Sequence, residues 1–192
     1  YEQAGIIHEL DKLSDRLVVM SGQAAEILQD VYNVEEQRIA VIPHGIPDVA
    51  FVDPAFYKDQ FGLEGRTVLL TFGLLSPNKG IEVVIDALPA IVERHPDVTY
   101  VVLGAIHPNI FKKDGNAYLH SLEIKAQRLG IRDHVIFDNR YVSLEELCGY
   151  IGAADVYLTP YMNEAQIVSG TLAYAMGAGK AVVSTPYWYA KE

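Results

Sequence analysis

Short, Val-rich apolar runs alternate along this chain with longer stretches whose apolar positions recur every three or four residues. The runs fall at 16–20, 38–44, 67–73, 98–104, 134–139, 155–160 and 180–185. Most are apolar at consecutive positions, the pattern of strands covered on both faces rather than one. The intervening stretches at 21–33, 79–95, 116–130, 143–154 and 167–178 have helical period. This order predicts an α/β fold built on a parallel sheet flanked by helices. Ser21 and Ser143 stand where N-caps are expected, and Ser143 with Glu146 has the spacing of a capping box. Pro89 falls inside the second helical stretch and predicts a kink or an interruption there.

The alternation breaks once, at "HGIPDVAFVDPAF" (44–56), which is rich in Pro, Gly and Asp and has no period. We expect a domain boundary at this point. Residues 1–46 then read as the closing βαβ portion of a preceding domain, 47–54 as a linker, and 55–192 as most of a second domain, truncated at its end. The whole is expected to be a piece of a longer protein.

Composition narrows the function. Half of the 192 residues are hydrophobic, enough for a sizeable core. A formal charge of -10 without a basic stripe argues against nucleic acid as a partner. The single cysteine, Cys148, excludes an internal disulfide framework and reads as a packing residue in a cytoplasmic protein. No long apolar span is present, which leaves only peripheral membrane contact open. The six histidines, His44 in "PHG" among them, lack the spacing of a metal site, so no metal is expected.

In an open parallel sheet, ligands sit beyond the carboxyl ends of the strands. Two of the loops there carry candidate chemistry. "GLLSPNKG" (73–80) sets Gly73 and Gly80 around Lys79, expected as an exposed lysine at a helix start, where a phosphate would meet a full charge and free N–H groups. It is neither a P-loop nor a G-x-G-x-x-G fingerprint. "NEAQIVSGTLAYAMGAGK" (163–180) places Val168, Ser169, Gly170 and Thr171 at a helix entry suited to phosphate oxygens, with Glu164 and Gln166 before it as partners for sugar hydroxyls. The same small residues, Gly170, Ala173, Gly177 and Gly179, also suit a closely packed helix face, and both uses can coexist.

Taken in order, "RLVVMSGQAAEIL…IAVIPHGI", "FGLLSPNKGIEVVIDAL", "VVLGA", "HVIFDNRYVSLEELCGYIGAADVYLTP" and "AYAMGAGKAVVST" resemble the family-four glycosyltransferases, retaining enzymes of the GT-B architecture. The resemblance covers nearly the whole chain. It implies two Rossmann-like domains facing across a cleft, with this chain supplying the end of the first and most of the second, donor-binding one. The expected ligand is a nucleoside-diphosphate sugar, with no metal or other cofactor. The acceptor, a carbohydrate or another hydroxyl compound, would be held mainly by the missing N-terminal part. Carried over by position, Gly73, Lys79 and residues 168–171 would bind the donor diphosphate. Glu164 would be the catalytic acid and, with Gln166, would bind the sugar. Arg140, Tyr141, Val142 and Tyr174 would lie around the nucleoside. The chain departs from the family at two places: Leu74 stands where an arginine is usual, and Tyr174 where a second glutamate is usual. Arg140 is a candidate to replace the missing arginine from across the cleft.

Two rival readings stand beside this one, the first suggested by those departures and the second by the shared placement of the loops. One is a nucleotide-sugar-binding or scaffold domain that has lost catalysis, and the other is an enzyme of similar two-domain form such as a sugar-nucleotide epimerase.

Overall fold

The structure, a computed structural model, describes residues 2–48 and 53–192. In chain order its elements are α1 (Glu2–Leu13), β1 (Leu17–Val19), α2 (Gly22–Asp30), β2 (Ile39–Val41), α3 (Pro54–Gln60), β3 (Thr67–Phe72), α4 (Ile81–Arg94), β4 (Val98–Leu103), α5 (Pro108–Asp114), α6 (Ala117–Arg128), β5 (Val135–Asp138), α7 (Leu144–Ala153), β6 (Val156–Thr159), α8 (Gly170–Gly177), β7 (Ala181–Ser184) and α9 (Trp188–Lys191). Each of the seven expected strand runs contains one of these strands. Residues 49–52 of the expected linker lie outside the described residues, as does Tyr1.

The strands form two parallel sheets. β1 and β2 pair with each other, and the other five lie in the order β5-β4-β3-β6-β7. From β3 the chain steps one way to β4 and β5, then returns to the other side of β3 for β6 and β7. The order therefore reverses between β3 and β6, and a crevice opens there at the strands' carboxyl ends. Right-handed crossovers in opposite directions put helices on opposite faces. Leu69, Tyr100 and Val102 pack with Ile85 and Leu88 of α4 and Leu122 of α6. Val68, Leu70, Phe72 and Tyr157 pack with Ile151 of α7 and Leu172 of α8. Both faces of β3 and β4 are buried, which is why these strands are apolar without alternation.

Local signals held unevenly. Ser21 Oγ accepts from Ala24 N and Ser143 Oγ from Glu146 N, so both caps form. The reciprocal half of the capping box is not made, because the Glu146 carboxylate is taken by Arg140. α4 runs unbroken through Pro89. The proline costs that helix one internal N–H, and the buried Ile85 and Leu88 just before it keep the helix on the sheet. Four helices were not expected from period: α1, α3, α5 and α9. α3 and α5 are too short to show a period, yet Asp53-Pro54 and His107-Pro108 mark both starts, each cap side chain accepting from a backbone N–H two residues on. Cys148 is only half-buried and lines a groove of about 950 Å³ between α3 and α7, with burial pushing its thiol pKa up.

The segment after β2 lies on the small-residue face of α8. His44 sits on Gly170, where an added Cβ would come 2.6 Å from its Nε2, and Ile46 sits on Gly177, where one would come 2.0 Å from its Cδ1. The Glu192 carboxylate accepts from Gly22 N and Gln23 N, the first turn of α2.

Candidate functional site

The crevice between β3 and β6 is built by two loops held together. Gly80 adopts a left-handed conformation, and a Cβ there would fall 2.0 Å from the Pro160 carbonyl oxygen, so only glycine permits this approach. Asn78 extends the contact, its backbone carbonyl accepting from Met162 N and its Oδ1 from Asn163 N.

Lys79 is thereby turned inward. It ends a single 3-10 turn, Pro77–Lys79, ahead of α4, and is only 8% exposed. This differs from the exposed lysine expected at a helix start. Its Nζ donates to the Phe72 carbonyl at 2.9 Å and to the Tyr161 phenol oxygen at 2.8 Å. The reason lies in the sheet register. Gly73 N–H turns to Leu103 on the β4 side, so its neighbour Phe72 presents its carbonyl to the β6 side. Pairing of β3 with β6 has already ended at Leu70 and Tyr157. The unpaired carbonyl would be costly to bury alone, and the ammonium satisfies it.

Gly73 covers this lysine. Its φ is +112°, and an added Cβ would lie 2.9 Å from Lys79 Nζ and 3.1 Å from Thr171 Cγ2. Thr171 comes from the opposite wall, the first turn of α8. Ser169 caps that helix by accepting from Leu172 N, which leaves the N–H groups of Gly170 and Thr171 without an intrahelical acceptor. One ammonium and one positive helix end therefore converge beside Gly73.

Next to Gly73 is a cavity of about 180 Å³, bounded by Phe72, Leu74, Gly104, Tyr141, Val142 and Leu147, with Arg140 at its rim. Gly104 keeps its backbone close to that of Gly73, since a Cβ would fall 2.1 Å from the Gly73 oxygen. This second glycine was not singled out in the sequence, though its place at the carboxyl end of a strand was the available signal.

The glycosyl transferases group 1 family matches residues 66–192, about two thirds of the chain. The chain belongs to the group 1 glycosyl transferases. It is 32% identical over 123 residues to a GDP-mannose-dependent α-(1-6)-phosphatidylinositol monomannoside mannosyltransferase of Mycolicibacterium smegmatis, a match covering 62% of this chain and 29% of that protein. It is 27% identical over 187 residues to mannosylfructose-phosphate synthase of Agrobacterium fabrum, covering 94% and 40%. Among solved structures, sucrose-phosphate synthase from Thermosynechococcus elongatus superposes with a TM-score of 0.72 at 21% identity, covering 95% of this chain and 43% of that one. HepE from Anabaena, solved with UDP and glucose, gives 0.71 at 21% identity, covering 94% and 47%. The chain spans less than half the length of each of these relatives, and the structural likeness concerns the fold.

In this glycosyl transferase the expected site residues divide into groups. Gly73, Lys79, Ser169, Gly170 and Thr171 come together in the crevice. Arg140, Tyr141 and Val142 share the adjoining cavity, with Tyr141 75% exposed. Arg140 is engaged by Asp138 and Glu146 on its own side of the sheet, and those carboxylates push its pKa up. Tyr174 lies away from this cavity's lining, edge-on to His44 at 5.9 Å between ring centroids. Glu164 is exposed, with its carboxylate 3.0 Å from Lys191 Nζ. Gln166 donates to the Val168 carbonyl within its own loop. Among the described residues, no group of three or more His, Cys, Asp or Glu could hold a metal ion, and no helix is long and apolar enough to cross a membrane.

Proposed function

We propose that this chain carries the nucleotide-sugar donor site of a retaining, metal-independent GT-B glycosyltransferase, whose acceptor is held elsewhere in the full-length protein. The observation that carries the reading is the convergence of Lys79 and the first turn of α8 beneath Gly73, beside a cavity with apolar walls. The diphosphate would lie against the ammonium and the N–H groups of residues 170–171, and the base in the cavity beside Tyr141 and Val142. As the glycosyl bond breaks, negative charge grows on the leaving phosphate, and the same groups stabilise it without reorganising. Glu164 and Gln166 would face the sugar once the Glu164 carboxylate leaves Lys191. HepE, solved with UDP and glucose, supports a donor of this class.

A thermal-shift screen against UDP, GDP, ADP and their glucose and mannose conjugates tests the reading. At least one nucleotide is expected to stabilise the chain, and Lys79→Met is expected to weaken it about 10- to 100-fold, the worth of about 1.5–3 kcal/mol for a hydrogen bond to a charged group. No response to any of them would contradict it. The absence of arginine at Leu74 favours a second reading, a donor-binding domain without catalysis. Binding with no transfer by the full-length protein would select that alternative.

A further inference from the structure

We propose that Tyr161 is the positioning residue of this site: its phenol holds the Lys79 ammonium in place and joins it, through Thr171, to the cap of α8. The proposal rests on the donor-site reading above. Tyr161 immediately follows Pro160 at the carboxyl end of β6. Its ring is buried, stacked on Tyr187 with centroids 5.0 Å apart, and lies 4.9 Å below Lys79 Nζ. Its oxygen is 2.8 Å from that Nζ and 2.9 Å from Thr171 Oγ1. Thr171 Oγ1 in turn accepts from the Tyr157 phenol at 2.7 Å and lies 3.2 Å from Ser169 Oγ, the cap atom.

The chemistry of the groups fixes the direction of this relay. An ammonium only donates, so the Tyr161 oxygen accepts from Lys79 and gives its own proton to Thr171. Thr171, already accepting from Tyr157 and Tyr161, gives its proton to Ser169. The two sides of the crevice are therefore linked through one phenol. If Tyr161 loses its proton, the ammonium and phenolate cancel, Thr171 must turn its proton back, and the positive charge offered to a diphosphate is gone.

Burial alone would raise the phenol pKa, but the Lys79 charge and the hydrogen bonds that Lys79 and a reoriented Thr171 donate to the phenolate outweigh it and hold Tyr161 below the ordinary tyrosine range. The groups facing it are Lys79 from the 3-10 turn, Ser169 and Thr171 from α8 and its cap, Tyr157 from β6, and Tyr187 from the segment before α9. Burial pushes Tyr157 and Tyr187 the other way, so they stay neutral through the pH range in which Tyr161 ionises.

Two titrations on the 192-residue chain test the proposal. By tyrosinate absorbance, wild type is expected to show an early phenolate step below the ordinary tyrosine pKa of about 10. The step should be absent in Tyr161→Phe and moved to higher pH in Lys79→Met. By calorimetry with UDP, GDP and ADP, affinity for whichever nucleotide binds is expected to fall at least about fivefold as that step is crossed, and to stay level in Tyr161→Phe, whose ring keeps the Tyr187 stack. Nucleotide binding without an early step, or with an affinity indifferent to it, would overturn the role of Tyr161 alone. An early step with no binding of UDP, GDP or ADP would overturn the donor-site reading, and this role with it.

Discussion

Gly73→Ala separates the cost of a backbone conformation from the cost of disturbing the site. Gly62 and Gly73 both have positive φ, +64° and +112°, and so exact a conformational penalty from any other residue. At Gly62 an added Cβ meets nothing within 4 Å. Gly62→Ala should therefore cost only the left-handed strain, about 1–2 kcal/mol. At Gly73 the φ lies beyond that well, and a strained position of this kind costs on the order of 1–3 kcal/mol. The methyl would also press on Lys79 Nζ at 2.9 Å, and the ammonium cannot yield without giving up the Phe72 carbonyl or Tyr161. Losing one such charge-assisted bond adds about 1.5–3 kcal/mol. The expected total for Gly73→Ala is about 2.5–6 kcal/mol. Urea unfolding followed by circular dichroism, with both variants beside wild type, reads the difference. Equal midpoints for Gly62→Ala and Gly73→Ala would show that Lys79 is not held as described.

Lys79→Ala is expected to lower stability by about 1–3 kcal/mol in the same assay, because it strands the Phe72 carbonyl; an unchanged midpoint would place that lysine in solvent. Val142→Trp should fill the cavity beside Gly73 and weaken nucleotide diphosphate binding at least about tenfold by calorimetry, while equal affinity would move the base elsewhere. Stability should fall as pH rises past about 10, the unfolded tyrosine value. Tyr100, Tyr157 and Tyr187 have folded pKa values raised by burial, so their contribution is complete below that value and lost above it. A urea midpoint that holds steady into that range would contradict this sign. Glu164→Gln should reduce the preference for a nucleotide sugar over its bare diphosphate, and equal effects on the two ligands would remove Glu164 from the sugar site.

The sheet was legible because its central strands, β3 and β4, are buried on both faces and so appear as nearly unbroken apolar runs, with shorter Val-containing runs at the other strands. The helix entry at 169–171 was legible because Ser, Gly and Thr before an apolar run is a capping signal in itself. The burial of Lys79 was not, because it depends on β3 and β6 parting at Leu70 and Tyr157, a register no local pattern records. Tyr161 was missed for a related reason. In sequence it is one aromatic after a strand, and its meaning comes from Lys79, 82 residues earlier, and Thr171, ten residues later. The expectation for Arg140 met a local competitor, since Asp138 and Glu146 lie two and six residues away and hold the guanidinium on its own side. The half-formed capping box at Ser143 is the other consequence of that same contact.

The most direct test of the central claim is a crystal structure of this chain with the nucleotide diphosphate that stabilises it most in the screen. The account predicts the phosphates between Lys79 and the N–H groups of residues 170–171, under Gly73, with the base beside Tyr141 and Val142. A nucleotide seated instead in the groove between α3 and α7, or against the apolar face formed by α4, β6 and β7, would contradict it.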